Sequence, residues 1–140
     1  MENELVILNK YSIIERCINR INEIYNNNPT NLENYDKQDA IVLNLQRACQ
    51  AAIDLGMYVI KTRKLGIPQS KKGTFTILEE NKVITSEMAE RMKGVLRFRN
   101  IAIHEYQELD IQIVKDVIEN HLEDLEEFAR EILKQCKRGE

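Results

Sequence analysis

The stretch KQDAIVLNLQRACQAAIDLGMYVIKTRKL, residues 37–65, decides the fold. Ile41, Leu45, Ala48, Ala52, Leu55 and Val59 step by 4, 3, 4, 3 and 4 residues. With 3.6 residues to a turn, that rhythm keeps apolar side chains on one side of a helix in a heptad-like seam. Ala48, Ala51 and Ala52 are small enough to admit a second helix at close range. Asp36, just before the run, is the expected N-cap, and Gly66 and Pro68 end the helix.

Helical patterns lie on both sides of this seam. From about Glu4 to Tyr25, Ile7, Ile14, Ile18, Ile21 and Tyr25 recur on one face, and the Asn- and Pro-rich segment 26–31 closes the helix. After the polar loop IPQSKKG, residues 67–73, the segment Thr74 to Leu78 predicts a short helix that packs Phe75 and Leu78 onto the rest. A third long helix starts near Ser86, a suitable N-cap, and runs towards His104, burying Met88, Met92 and Val95. Gly94 inside it costs about 1 kcal/mol relative to Ala, which predicts close packing or a bend there. The fourth begins after Asp110 and reaches about Gln135, with Ile111, Val114, Ile118, Leu122, Leu125, Phe128 and Ile132 as its stripe. Glu119, Glu123, Glu126 and Glu127 fill the opposite face, read as solvated. The expected architecture is all-α: one domain over residues 1–140, an up-down bundle of four main helices plus a short connecting helix.

Composition agrees. Five Gly and two Pro in 140 residues are too few for a turn-rich β fold, and 43% hydrophobic residues suffice for one core. A net charge of -3 argues against a general nucleic-acid binder, so any contact with RNA must rest on a local basic patch. Cys17, Cys49 and Cys136 are odd in number and widely spaced, which points to reduced thiols in a cytoplasmic protein. No leader peptide and no apolar run long enough for a membrane span is read. No His, Cys or carboxylate set has metal-ligand spacing on one face, so neither a metal nor another cofactor is expected.

Chemistry concentrates at one place. The two histidines are His121, inside the fourth helical stripe and read as a partly buried packing residue, and His104, in RFRNIAIHEYQELD, residues 97–110. Arg97, Arg99, Asn100, His104 and Tyr106 crowd there. On a helix, Asn100 and Arg97 share a face with His104, being four and seven residues away. Arg99, five away, diverges by about 140°. It meets His104 only if the helix end unwinds or a second subunit supplies one of the two. Spacing alone does not choose between Arg97 and Arg99. Histidine titrates near neutrality and can move a proton. Arginine presents a fork of donors matched to a phosphate, and asparagine can orient an oxygen. The set suits metal-independent RNA cleavage, in which a 2′-hydroxyl attacks the adjacent phosphate. It equally suits a helix C-terminus decorated by cations that favour the negative end of the macrodipole.

Arg99, four residues, His104, one residue and Tyr106, with polar Asn100 directly after the arginine, resemble the signature of the HepT toxins within the HEPN superfamily. RNIAIHEYQELD (99–110), DAIVLNLQRACQAAIDLGMYVI (39–60) and LGIPQSKKGTFTILEE (65–80) resemble the same family, so the likeness spans most of the chain from the second helix onward. The resemblance implies an α-helical ribonuclease toxin of a toxin–antitoxin pair, acting as a homodimer whose two motifs line one cleft. It implies Arg99 and His104 as the catalytic pair, Asn100 as an assisting residue, and Arg97 as a contact to RNA phosphate at most. It further implies a minimal nucleotidyltransferase antitoxin of the MntA type that silences the toxin by transferring AMP to Tyr106. The alternative is a non-catalytic helical binding partner of such a nucleotidyltransferase. The RNA target is not legible in the chain.

Overall fold

Asn3 opens the first helix, α1 (Glu4–Tyr25): its side-chain oxygen accepts from the Leu5 N–H at 2.9 Å. The computed structural model describes residues 2–104 and 110–138, the side chains of 99–104 excepted. Asn26 ends α1 in the left-handed region at φ 49, a conformation asparagine tolerates better than most residues. A 3-10 turn, Pro29–Glu33, leads into α2 (Tyr35–Arg63). Asn34, not Asp36, caps α2 by accepting from the Lys37 N–H at 3.0 Å. Asp36 falls inside the first turn, where a negative charge still favours the helix N-terminus.

The seam reads as expected. Ile41, Leu45, Ala48, Ala52, Leu55 and Val59 are all buried, and α2 packs along α1 and also meets the four elements α3, α4, α6 and the 3-10 turn. The connecting helix α3 (Lys71–Glu80) is twice as long as read from sequence, because Ser70 caps it by accepting from the Gly73 N–H at 2.9 Å. Gly56 of α2 is what lets α3 lie so close: a Cβ there would stand 2.8 Å from Thr74 Cγ2. Phe75 and Phe128 meet edge to face beside it, centroids 5.3 Å apart.

The fourth helix of the sequence reading is two helices, α5 (Ile111–Asn120) and α6 (Leu122–Lys137), with the break at His121. The apolar stripe runs unbroken across the junction, so periodicity does not reveal it. Before them stands α4 (Ser86–His104). Its cap is Thr85 rather than Ser86: Thr85 Oγ1 accepts from the Met88 N–H at 3.1 Å. Gly94 is not a close-packing site, since a Cβ there would meet nothing within 4 Å. The described residues thus form six α-helices and no strand, and no described helix is long and apolar enough to cross a membrane.

Two polar joints tie the poles of the bundle. At one, Arg63 pairs with Glu2 and donates to Gln135 Oε1 at 2.9 Å, while the Asn3 N–H donates to the Tyr58 hydroxyl at 2.7 Å. At the other, the buried Tyr25 hydroxyl donates to Glu119 on α5. Burial first, and that carboxylate second, push the Tyr25 phenol up to about 12.

Candidate functional site

The α4 helix carries four of the residues the sequence singled out. Its backbone is helical through His104, so Arg97, Arg99, Asn100 and His104 all occupy its last two turns. Tyr106 lies outside the described residues. An unwound helix end before His104, one of the two ways of bringing Arg99 to the histidine, is therefore not what the backbone adopts. Within one chain Arg99 and His104 sit about 140° apart around the helix and about 7.5 Å apart along it. Asn100 and His104 share a face.

Arg97 is exposed and borders a cavity of about 300 Å³ with Ser70, Lys71, Lys72, Lys93 and Leu96. Lys93 and Arg97 are one turn apart on α4, and Lys71 and Lys72 form the first turn of α3, which packs against α4. None of these four cations has an ion pair with a described carboxylate, while the protein as a whole carries a net charge of -3. Sequence reading named only Arg97 here. Lys71 and Lys72 are about 25 residues upstream, and only the α3–α4 contact joins them to it.

A larger groove, about 1080 Å³, lies towards the other end of α4, between the α3–α4 loop and α6. Carboxylates and cations alternate along it, Glu127 and Glu131 beside Arg130 and Lys134, so it has no single sign of charge. Next to it is an ion-pair cluster that crosses helices. Arg91 Nη1 reaches Asp124 Oδ1 at 2.9 Å and Glu127 Oε2 at 2.6 Å, and Nη2 stands 3.6 Å from Glu87 Oε1. The hydrogen bonds that Arg91 donates to Glu127 and Asp124 push its guanidinium up from its ordinary range. His121 is not packed as an apolar residue. Its Nδ1 lies 3.3 Å from Asp124 Oδ2 and its Nε2 3.2 Å from Asp116 Oδ2, across the α5–α6 break.

The acidic face is therefore only partly solvated. Glu123 is exposed, but Glu119 holds Tyr25, Glu127 holds Arg91, and Glu126, half-buried, is pushed up by burial and stands 3.6 Å from Arg130. Among the described residues no group of three or more His, Cys, Asp or Glu is placed to hold a metal ion, and none of the three cysteines forms a disulfide. Burial pushes the Cys17 thiol up, away from the reactive thiolate.

The family model "Ribonuclease HepT-like" matches residues 14–132. The mRNA nuclease HepT of Shewanella oneidensis is 42% identical over 123 residues, covering 88% of this chain and 92% of that protein. Among solved structures, the tri-AMPylated Shewanella oneidensis HEPN toxin in complex with MNT antitoxin superposes with a TM-score of 0.86 at 41% identity, over 94% of this chain and 98% of that one. A toxin–antitoxin structure with AMP-PNP gives 0.86 at 41% identity, over 91% and 96%. The cytosolic protein YutE of Bacillus subtilis, of unknown function, shares the fold at a TM-score of 0.82 with 17% identity, over 95% of this chain and 90% of that one.

Proposed function

Since this chain belongs to the HepT-like ribonuclease family, we propose that it is the toxin of a toxin–antitoxin pair, an endoribonuclease that acts in the cytoplasm as a single-domain homodimer. The observation that carries the reading is the sequence spacing Arg99, His104, Tyr106, whose first two members lie in the last turns of α4, inside a family match that spans residues 14–132. In the proposed reaction the 2′-hydroxyl of a ribose attacks the adjacent phosphorus, and the bond to the 5′-oxygen breaks. His104 moves the proton, Arg99 stabilises the charge that builds on the phosphoryl oxygens, and Asn100 orients an oxygen. No metal ion is needed for these steps.

The helical backbone through His104 supports a two-chain site. With Arg99 and His104 on different faces of one straight helix, a twofold axis brings the arginine of one protomer to the histidine of the other. Silencing follows the same chemistry. A nucleotidyltransferase antitoxin that joins AMP to the Tyr106 hydroxyl, releasing pyrophosphate from ATP, places an anion where RNA phosphate would bind. Intact mass after co-expression with the antitoxin gene checks this step.

The test is RNA cleavage by the purified protein in EDTA. His104→Ala is expected to lower the rate by about 10²–10⁴-fold with helical content unchanged. Mixing Arg99→Ala with His104→Ala protomers should restore about a quarter of wild-type activity, because half the dimers then hold one intact composite site of two. Retained cleavage in His104→Ala removes the assignment of His104, and absence of any recovery on mixing removes the shared site.

A further inference from the structure

We propose that the cavity between the start of α3 and the second half of α4 is an RNA-backbone subsite, in which Lys71, Lys72, Lys93 and Arg97 hold a phosphodiester next to the one that is cut. The proposal rests on the ribonuclease reading above and extends it to three lysines outside the motif.

Four observations carry it. First, four cations border one cavity of about 300 Å³, and none is paired with a described carboxylate. In a protein with a net charge of -3, a concentration of four positive charges without a described carboxylate partner is a local field of the sign opposite to the average. Second, Lys71 and Lys72 occupy the first turn of α3, where the macrodipole is also positive, so the helix disfavours them. Fold stability does not explain their position; a polyanion does. Third, the cavity borders the same helix, α4, that carries the proposed site. Arg97 is seven residues before His104, about 10 Å along the helix axis, so a phosphate held here neighbours the scissile one rather than being it. Fourth, buried Leu96 gives the cavity an apolar wall, suited to the sugar between two phosphates. The larger groove mixes both signs, and the Arg91 guanidinium is already matched by Asp124 and Glu127.

Such a subsite contributes binding shared by ground state and transition state, so it acts on KM and not on kcat. It reads charge, not base, and leaves sequence preference to the reacting cleft.

The experiment compares the wild-type protein with Lys71→Gln/Lys72→Gln and Lys93→Gln/Arg97→Gln, using a labelled single-stranded RNA, with Lys61→Gln as the charge-loss control. Binding is followed by anisotropy against salt and cleavage by initial rates. Each lost cation should lower the slope of log Kd against log salt by about 0.7. Each double variant should raise KM about tenfold or more and keep kcat within a factor of two, while Lys61→Gln behaves as wild type. An unchanged salt slope and KM in both double variants overturns the subsite and leaves the nuclease reading intact. RNA bound with the expected loss of slope, but never cleaved by the wild-type protein, sinks the nuclease reading and sustains the subsite. Loss of antitoxin binding with normal RNA binding would assign these cations to an acidic protein surface and overturn the proposal.

Discussion

The first half of α4 carries Arg91, whose guanidinium meets Asp124 at 2.9 Å and Glu127 at 2.6 Å. The second half carries Arg97, six residues on, which borders a cavity together with Lys71, Lys72 and Lys93 and pairs with no described carboxylate. One helix therefore holds the same side chain in two electrostatic settings. Where the charge is matched across helices it closes α4 against α6. Where it is unmatched the protein has left charge available to something that binds. The difference teaches that arginine content says little, and that the neighbour on the adjacent helix decides which arginine is structural.

The sharpest way to break this contrast is to remove the buried acid. Asp124 is 5% exposed and serves both Arg91 and His121, so Asp124→Ala leaves the guanidinium with Glu127 and Glu87 alone and should cost about 2 kcal/mol in urea unfolding. RNA affinity measured on the folded variant should stay at wild type; a matching loss there would merge the two halves of α4 into one functional unit.

A smaller effect belongs to the Tyr25–Glu119 joint. Tyr25→Phe should cost about 1 kcal/mol, the typical worth of one hydrogen bond. Its pH signature has a definite sign. The phenol lies near 10 when unfolded and at about 12 when folded, so its contribution is complete below pH 10 and disappears as pH rises through about 12. Thermal unfolding between pH 9 and 12 should therefore fall less steeply in Tyr25→Phe than in wild type, and parallel curves would contradict the assigned cause.

The smallest effect tests the unmatched half. Lys72→Glu sets a favourable charge in the first turn of α3 and should raise stability by about 0.5 kcal/mol in a denaturant titration. The same change should weaken RNA binding. A variant that gains stability and keeps full affinity would detach Lys72 from the ligand.

Much of this was legible from residues alone where the signal is local and periodic. The α2 seam, the α1 face and the end of α1 at its asparagines follow from spacing and turn chemistry, and the buried positions match. Arg97, Arg99, Asn100 and His104 fall together on the last turns of α4 because they are neighbours in the chain. What escaped was decided by contacts between helices or by competing caps. Nothing in the stripe from Ile111 to Ile132 announces a break at His121, and nothing near Arg91 names Asp124, 33 residues away, as its partner. Asn34 displaced Asp36, and Thr85 displaced Ser86, because adjacent cap-forming residues compete and the sequence does not rank them. The helix cost of Gly94 pointed to close packing or a bend, yet of Gly56 and Gly94 it is Gly56 that has a neighbour needing its missing Cβ.

Glu2 and Asn3 work as a fastener rather than as a loose leader. One grips Arg63 at the far end of α2, and the other both opens α1 and hangs from the Tyr58 hydroxyl. A chain trimmed to begin at residue 4 would keep every apolar contact of the bundle yet lose the clasp that sets how α1 enters it. Purification handles fused at the front should thus be separated from Glu2 by a flexible spacer, or the fray they introduce will be mistaken for weakness in the core.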